Sequence, residues 1–271
     1  MKYKILALDL DGTLTNSKKE ITPRVKKAIL AAQEKGVTVV LASGRPTYGI
    51  VPLAEELEIG RYGGYILSYN GGQIINWESQ NVVYEKVLST DVFPYLYLCA
   101  KENGFVILSY KGECILSEDS TNEYVCHEAF LNKMKSVTID NFLDEFTMPV
   151  PKCLIVGNPD GLSKLEKEMK AQLEGKMNVF RSEPFFLELV PLGIDKALSL
   201  NILLKKLGMK TEEMIACGDG FNDLSMIQLA GLGVAMANAQ SVVKESANYI
   251  TLSNDEDGVA DVVERFILAD E

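Results

Sequence analysis

The start of the chain, a buried-strand pattern that ends in acidic residues, most restricts what this protein can fold into. Residues 3–8 form an almost continuous apolar run that stops at Asp9. Such a run is typical of a strand covered on both faces, as in parallel sheets. Asp9 and Asp11 are two positions apart, so their side chains point to the same side while the chain stays extended. The pattern predicts two convergent carboxylates at the carboxyl end of a strand, where open α/β sheets bind ligands.

The turn after Asp9 has the composition of a metal and phosphate site. Convergent carboxylates suit Mg²⁺, which takes one or two of them together with water and phosphate oxygens. Gly12 allows a tight turn, and Thr13 offers a hydroxyl and a backbone N–H to an anion. The alternative is a solvated acidic turn, but chance produces D-x-D-G-T in only roughly a few in a thousand chains of this size. The metal and phosphate site is therefore favoured.

Composition restricts the partners and the compartment. The chain has 271 residues, 47% hydrophobic and 24% charged, which predicts a globular protein of one large or two smaller domains. Its net charge of −11 argues against nucleic acid or an anionic membrane as a main partner. The apolar runs are too short for a membrane span or a signal peptide. We expect a cytoplasmic protein with no nucleic-acid, membrane or obligate protein partner.

Cysteine and histidine chemistry is disfavoured. The five cysteines contain no C-x-x-C pair and are expected to be reduced and mostly buried. The single histidine, His127, lies in a polar stretch and is expected to be an ordinary, partly exposed residue. A Ser-His-Asp triad, a Cys-His pair or a histidine-rich zinc site would depend on it alone. Carboxylates are the expected catalytic groups.

Strands and helices alternate in both terminal parts of the chain, which predicts one parallel sheet assembled from both ends. The middle, about 84–189, has two copies of a strand–helix–strand–turn–strand pattern, over 82–116 and 153–190, around a variable stretch near 117–150. This predicts an inserted α+β domain with antiparallel strands. The expected organisation is a core of residues 1–83 and 190–271, interrupted by an independent domain at 84–189.

Two further candidates precede helices in the terminal parts. Ser43 and Gly44 follow a predicted strand and offer a hydroxyl and an N–H to a phosphoryl oxygen. Arg45 is equally consistent with a surface or helix-start residue. Lys196 begins a helix and there opposes the helix dipole. That placement is tolerable if the ammonium neutralises a phosphate and a carboxylate.

The segment Gly218-Asp-Gly-Phe-Asn-Asp223 is the second strong signal. It follows a buried strand and precedes a helix, so Asp219 and Asp223 are expected at the same sheet edge as Asp9. There they would complete a Mg²⁺ site, directly or through water, while Asn222 could hydrogen-bond a phosphate. A helix cap explains one acidic residue but not the whole cluster with its two glycines.

The order of these motifs resembles that of the haloacid dehalogenase-like (HAD) phosphohydrolases, over most of the chain. The matching segments are Asp9-x-Asp11-Gly-Thr13, Ser43-Gly-Arg45, Lys196 and Gly218-Asp-Gly-x-Asn-Asp223. The long insertion, the Asn70-Gly71 pair before it and the segment Asp255-Glu-Asp-Gly258 resemble the Cof-type branch. Ser43 stands where many relatives have threonine, and both residues supply a hydroxyl.

The resemblance implies a doubly wound parallel-sheet, Rossmann-like α/β core with an inserted α+β cap that sets substrate specificity. It implies a Mg²⁺-dependent phosphatase of small phosphorylated metabolites, foremost sugar phosphates, with Asp9 as nucleophile and Asp11 as general acid and base. The implied metal ligands are Asp9, Asp11 through its backbone carbonyl, Asp219 and Asp223. The implied phosphate-binding residues are Thr13, Ser43, Gly44, Lys196 and Asn222, and the implied substrate-binding residues are Arg45 and Asn70.

Other functions are consistent with parts of the pattern. A phosphomutase or phosphotransferase would use the same core chemistry and differ only in its products. A phosphatase of flavin mononucleotide or pyridoxal phosphate is a variant of the main hypothesis. A noncatalytic regulator is expected to lack Asp9 or Asp11, and both are present. A dinucleotide-binding oxidoreductase needs G-x-G-x-x-G after the first strand, where Asp9-Leu-Asp-Gly-Thr13 stands instead.

Overall fold

The computed structural model describes residues 2–269, and its elements alternate along the chain. The strands are β1 (Ile5–Leu8), β2 (Thr38–Ala42), β3 (Tyr65–Ser68), β4 (Gln73–Asn76), β5 (Val82–Glu85), β6 (Val106–Lys111), β7 (Cys114–Ser117), β8 (Lys135–Thr138), β9 (Cys153–Val156), β10 (Met177–Glu183), β11 (Phe186–Pro191), β12 (Met214–Gly218), β13 (Leu232–Ala235) and β14 (Tyr249–Ile250). The α-helices are α1 (Pro23–Glu34), α2 (Thr47–Glu56), α3 (Phe93–Glu102), α4 (Glu123–Asn132), α5 (Phe142–Glu145), α6 (Pro159–Gln172), α7 (Lys196–Leu207), α8 (Leu224–Leu229), α9 (Ser241–Ser246) and α10 (Gly258–Val263). Within residues 2–269, none of the helices combines the length and apolar character that crossing a membrane requires.

Residues up to Tyr84 and from Asp195 onward form one compact unit around an eight-stranded sheet. The strand order is β14-β13-β12-β1-β2-β3-β4-β5, and the first six of these strands run parallel. Strand β1 is internal, because Ile5 is paired with Met214 of β12 on one side and with Thr38 of β2 on the other. The predicted parallel sheet assembled from both ends of the chain is confirmed.

Both faces of this sheet are covered by helices, which explains the continuous apolar character of its strands. On one face, Leu6 and Leu8 belong to a cluster that includes buried residues of α1, α2 and α10. On the other face, Ile5 and Ala7 belong to a cluster that includes buried residues of α7 and α8. Successive residues of β1 alternate between the two clusters, as the strand period of two requires. The sheet is therefore doubly wound, as predicted.

Helix α7 is defined at both ends by local sequence. The Asp195 carboxylate accepts the N–H of Leu198 at 2.9 Å and caps the first turn. Gly208 ends the helix in the left-handed conformation, with φ 66°. Leu200 and Leu203 are buried against the sheet and fix the rotation of the helix about its axis. This rotation turns Lys196, in the first turn, toward the interior.

Residues Glu85–Ile194 form a second compact unit with its own core. Its six strands have the order β10-β11-β9-β6-β7-β8, with antiparallel pairs throughout except for the parallel pair β7–β8. The stretch near 117–150, for which no elements were predicted, contains α4, β8 and α5. The sequence pattern of α4 is only weakly amphipathic, because its buried side includes the polar residues Glu128 and Asn132.

Two boundaries differ from the sequence-based expectation. Strand β5, expected at the start of the first repeat of the insert, is instead the outermost strand of the eight-stranded sheet, next to β4. At the other boundary, β11 remains paired with β10 as far as Pro191, opposite Met177. This hydrogen-bonded ladder keeps residues 190 and 191 in the second unit, which ends at Ile194 rather than at 189.

The five cysteines are free thiols, as expected from their spacing. Only Cys153 and Cys217 are buried, so the expectation that most of them are buried is wrong. Cys99 and Cys114 are partly buried, and Cys126, in α4, is exposed.

Candidate active site

The carboxyl ends of four neighbouring strands carry predicted site residues. Asp9 follows β1, Ser43 follows β2, and Asp219 follows β12. Asn70 comes two residues after β3, and the four strands are adjacent in the order β12-β1-β2-β3. Because the carboxyl ends of parallel strands meet at one edge, residues from distant parts of the sequence meet there.

Lys196 is fully buried and is bound to two of these carboxylates. Its Nζ donates to Asp9 Oδ1 at 2.7 Å, to Asp223 Oδ1 at 2.6 Å and to the Ala42 carbonyl at 2.9 Å. Three acceptors account for the three ammonium protons. Burial lowers the pKa of Lys196, but the charges of Asp9 and Asp223 outweigh it, and the net shift is upward. Lys196 is therefore a permanent cation, and a phosphate could bind it only by sharing or replacing one of these acceptors.

Asp9, Asp219 and Asp223 form a three-carboxylate cluster. One oxygen from each lies within 4.8 Å of the others. Burial and the nearby Asp223 charge raise the pKa of Asp9 to about 8, and burial raises the pKa of Asp219 to about 6. With all three ionised, Lys196 neutralises one charge and two negative charges remain. This hard-oxygen donor set and its excess charge fit one divalent cation such as Mg²⁺.

Thr13 and backbone N–H groups orient Asp219 and Asp223. Asp223 Oδ2 accepts the N–H groups of Asp219 and Gly220, at 3.0 and 2.9 Å. Thr13 Oγ1 donates to Asp219 Oδ1 at 2.9 Å, so its proton is directed to this carboxylate rather than to an anion. Asp223 is only 1% exposed, whereas Asp219 is partly exposed. Asp219 is therefore the more accessible of the two carboxylates.

Gly12 is required both by its backbone conformation and by the space around it. Its φ of +85° lies in the left-handed region that favours glycine. A Cβ at this position would lie 2.5 Å from Asp219 Oδ2. Gly36 has a similar φ of +88°, but a Cβ there would meet nothing within 4 Å. Of these two left-handed glycines, Gly12 is the one at which a side chain would conflict with the carboxylate cluster.

The Asp11 side chain lies apart from the three-carboxylate cluster and is paired with two cations. Arg45 donates to Asp11 through Nη2 at 2.6 Å and Nε at 2.9 Å, and Lys19 Nζ donates to Oδ1 at 2.7 Å. Burial raises the pKa of Asp11, but the hydrogen bonds and charges of Arg45 and Lys19 outweigh it and hold the pKa below 3.8. Asp11 is therefore ionised in this arrangement. Arg45 is mostly buried, so the alternative of a surface residue is wrong.

The loops after β2 and β3 meet around Gly44. Asn70 N–H donates to the Ser43 carbonyl at 2.9 Å, and Asn222 Nδ2 donates to Asn70 Oδ1 at 3.1 Å. A Cβ on Gly44 would lie 2.9 Å from Asn70 Nδ2, so a side chain there would displace the Asn70 amide. Ser43 Oγ accepts the N–H of Arg45 at 3.2 Å. Five of the predicted phosphate- and substrate-binding residues are thus brought together, namely Ser43, Gly44, Arg45, Asn70 and Asn222.

Three polar residues near Asp11 and Gly12 were missed by the sequence reasoning. Lys19 lies in a polar turn beside Lys18, and nothing in the sequence distinguishes the two lysines. Asn238 Nδ2 donates to the Gly12 carbonyl at 2.8 Å, and its Oδ1 accepts the N–H of Asn254 at 3.1 Å. Asn238 comes three residues after β13, so the strand-end rule could have identified it.

The sequence and the fold match those of known proteins. A family model described as haloacid dehalogenase-like hydrolase matches residues 6–263. A haloacid dehalogenase-like hydrolase from Bacteroides thetaiotaomicron has a crystal structure with TM-score 0.95 and 61% identity, covering 97% of this chain and 99% of that one. The 5-amino-6-(5-phospho-D-ribitylamino)uracil phosphatase YcsE of Bacillus subtilis (strain 168) is 34% identical over 98% of this chain and 96% of its own. Phosphatase YwpJ of the same organism is 29% identical over 97% of this chain and 100% of its own.

The chain belongs to the haloacid dehalogenase-like hydrolase family. Within that family it is a phosphatase of the Cof type, as the long insertion, the Asn70-Gly71 pair and the segment Asp255-Glu-Asp-Gly258 predicted.

Proposed function

We propose that the chain is a Mg²⁺-dependent phosphatase of small phosphorylated metabolites that acts through an aspartyl-phosphate on Asp9. The observation that most supports this proposal is the buried hydrogen bond between Lys196 and Asp9 Oδ1, 2.7 Å long, beside two further carboxylates. Lys196 holds one oxygen of Asp9 and fixes the orientation of the carboxylate. The second oxygen, Oδ2, is the proposed nucleophile.

In the first step, Asp9 Oδ2 attacks phosphorus in line with the leaving oxygen. The new bond joins Oδ2 to phosphorus, and the bond between phosphorus and the alcohol oxygen breaks. Asp11 gives its proton to that oxygen, so a neutral alcohol departs. In the second step, ionised Asp11 takes a proton from the water that attacks the aspartyl-phosphate, which releases phosphate and restores Asp9.

Asp11 has to exchange hydrogen bonds before it can act as an acid. Arg45 and Lys19 hold its pKa below 3.8, because they stabilise the ionised carboxylate. We assign Arg45 to substrate binding, in which its guanidinium group turns from Asp11 to the phosphate of the substrate. Guanidinium groups bind phosphate and carboxylate with the same bidentate geometry, so the exchange keeps Arg45 paired. Asp11 can then bind the proton that the first step consumes.

The residues present fit a single Mg²⁺ ion. Asp9, the Asp11 carbonyl and Asp219 would hold it, with Asp223 as a fourth ligand directly or through water. Both oxygens of Asp223 already accept hydrogen bonds, which favours the contact through water. When bound, the ion neutralises charge on the nucleophile and the phosphate.

The groups around Gly44 are the proposed receptors of the phosphate oxygens. Ser43 Oγ accepts a hydrogen bond from the Arg45 N–H, so its own proton can be donated to a phosphate oxygen. The Gly44 N–H and the Asn222 amide are the other proposed donors. Lys196 and Thr13 are the more distant members of this proposed phosphate-binding set. Preorganised donors of this kind stabilise the charge that develops in the transition state.

Sugar and polyol phosphates are the proposed substrates. The name of YcsE assigns it a substrate with a phosphorylated ribityl chain, which is a polyol phosphate. We propose that the second unit, 85–194, acts as a cap that distinguishes one alcohol from another, and that the reaction takes place in the cytoplasm. Flavin mononucleotide, which also carries a phosphorylated ribityl chain, pyridoxal phosphate and transfer to a sugar hydroxyl are the alternatives.

The test is phosphate release from a panel of hexose, pentose and polyol phosphates, flavin mononucleotide and pyridoxal phosphate. Activity should require Mg²⁺ and be lost in Asp9→Asn, while Asp160→Asn, the same change at an exposed residue, should behave as wild type. Chromatography of the products separates hydrolysis from transfer to a sugar. Steady turnover by an Asp9→Asn protein verified by mass spectrometry would contradict the covalent mechanism.

A further inference from the structure

The turn formed by residues 16–20 places Lys19 beside the carboxylate that exchanges protons. Lys19 Nζ lies 2.7 Å from Asp11 Oδ1. We propose that Lys19 is a positioning residue for Asp11, which holds Oδ1 while Oδ2 carries the proton to the leaving alcohol. This inference rests on the proposed role of Asp11 as the general acid.

The backbone of Lys19 is in a conformation that lysine rarely adopts. Its φ is 62°, in the left-handed region where glycine, asparagine and aspartate are more common. The turn is nevertheless well defined, because Asn16 Oδ1 accepts the N–H groups of Lys18 and Glu20, both at 3.0 Å. A residue with such a long side chain at this position is not required by the turn itself.

A distant loop holds the turn in place. Ser17 donates to Asp255 Oδ1 through its N–H and its hydroxyl, both at 2.8 Å. These bonds connect residues 238 positions apart in the sequence. The position of Lys19 is therefore fixed by hydrogen bonds within its own turn and by the bonds from Ser17 to Asp255. Its side chain is directed to Asp11.

The two cations on Asp11 have different roles in this scheme. Arg45 binds both oxygens of the carboxylate, whereas Lys19 binds Oδ1 only. One carboxylate requires only one cation for neutrality, so the pair leaves one positive charge in excess at Asp11. When Arg45 turns to the phosphate, Lys19 remains, and the carboxylate keeps its position with Oδ2 released. Lys19 is also the more exposed of the two, with 57% of its side chain accessible compared with 17% for Arg45.

The experiment compares two substrates whose leaving groups differ in whether they must be protonated to depart. An alkyl phosphomonoester has a poor leaving group that must be protonated, while p-nitrophenyl phosphate has a leaving group that departs without a proton. The variants are Lys19→Asn, which tolerates the left-handed backbone but cannot reach Asp11, Lys19→Arg, which keeps the charge, and Lys18→Asn as the matched control. The values of kcat/KM report on the step that forms the aspartyl-phosphate.

We expect Lys19→Asn to lower kcat/KM about tenfold for the alkyl ester and by less than about twofold for p-nitrophenyl phosphate. Lys19→Arg should restore most of the loss, and Lys18→Asn should match wild type on both substrates. Equal losses on the two substrates, or no loss on either, would overturn the positioning role. Failure of the wild-type enzyme to hydrolyse either ester with Mg²⁺ would instead contradict the proposed function.

Discussion

Lys196 Nζ and Asp9 Oδ1 form a hydrogen bond of 2.7 Å although the two residues are 187 positions apart in the sequence. Lys196 lies in the first turn of α7 and Asp9 at the end of β1, so the bond connects the two chain segments that flank the insertion. The ammonium group is wholly buried, and the carboxylate is nearly so. The central ion pair of the site is thus also a connection within the core.

Removal of the Lys196 ammonium group should destabilise the metal-free protein. In Lys196→Ala, Asp9 and Asp223 lose their shared cation while both remain buried. Breaking a buried ion pair in this way costs about 3 kcal/mol or more, because the remaining charges are uncompensated. Urea unfolding with a chelator above pH 8, where Asp9 is ionised, measures the loss, and phosphatase activity should disappear.

The matched control for this change lies on the same helix. Lys205 is in the last turn of α7 and is exposed, so Lys205→Ala should change the free energy of unfolding by less than about 0.5 kcal/mol. If Lys196→Ala proved as stable as Lys205→Ala, the ion pair would not make the proposed contribution to the free energy of unfolding.

Gly12→Ala and Gly36→Ala should separate backbone strain from damage to the metal site. Both positions have a left-handed φ, so alanine should cost each about 1 kcal/mol of stability. Only at Gly12 would the new Cβ push against Asp219 Oδ2, 2.5 Å away. Calorimetric titration with Mg²⁺ should therefore show weaker binding in Gly12→Ala and unchanged binding in Gly36→Ala. Equal Mg²⁺ affinity in the two variants would exclude Asp219 as a ligand.

Stabilisation by Mg²⁺ should increase with pH. Without metal, burial raises the pKa of Asp9 to about 8 and of Asp219 to about 6, so the folded protein binds protons that the unfolded chain releases above its ordinary pKa of 3.8. The stability of the metal-free protein should therefore fall as the pH rises toward 8. Mg²⁺ must displace these protons, so the increase in Tm that it causes should be larger at pH 8 than at pH 6.

Thermal unfolding at the two pH values, with Mg²⁺ or with a chelator, measures this dependence. Asp9→Asn has no proton to release at this position, and its Tm increase should vary less with pH. An identical Tm increase at both pH values in the wild-type protein would contradict the raised pKa of Asp9.

Deletion of the second unit should change specificity more than chemistry. The proposed core groups contact only the phosphate, the metal and the leaving oxygen, so they cannot readily distinguish one alcohol from another. A variant in which a short linker replaces residues 85–194 should bind Mg²⁺ but hydrolyse all phosphomonoesters of the panel at similar low rates. Circular dichroism confirms folding of the shortened chain. If it kept the substrate ranking of the full protein, the proposed cap function would be wrong.

Much of the core could be predicted because its signals are local. A continuous apolar run such as 37–42 predicts a strand buried on both faces, and a polar residue directly after it, such as Ser43, must lie at the strand end. The stretch 117–150 was not predictable in this way, because α4 buries polar side chains among its apolar ones. Periodicity is informative only where burial follows hydrophobicity.

The sequence by itself determined the doubly wound core and the residue types at its carboxyl edge, since both depend on near neighbours along the chain. Only the tertiary structure decided which groups those residues contact. Thr13 donates to Asp219, 206 positions away, and Asp11 is shared by Lys19 and Arg45. Each group at this edge has several possible hydrogen-bond partners. Distances of a few ångströms between segments remote in sequence determine which of these bonds form. Such distances exist only after the sheet has brought those segments together.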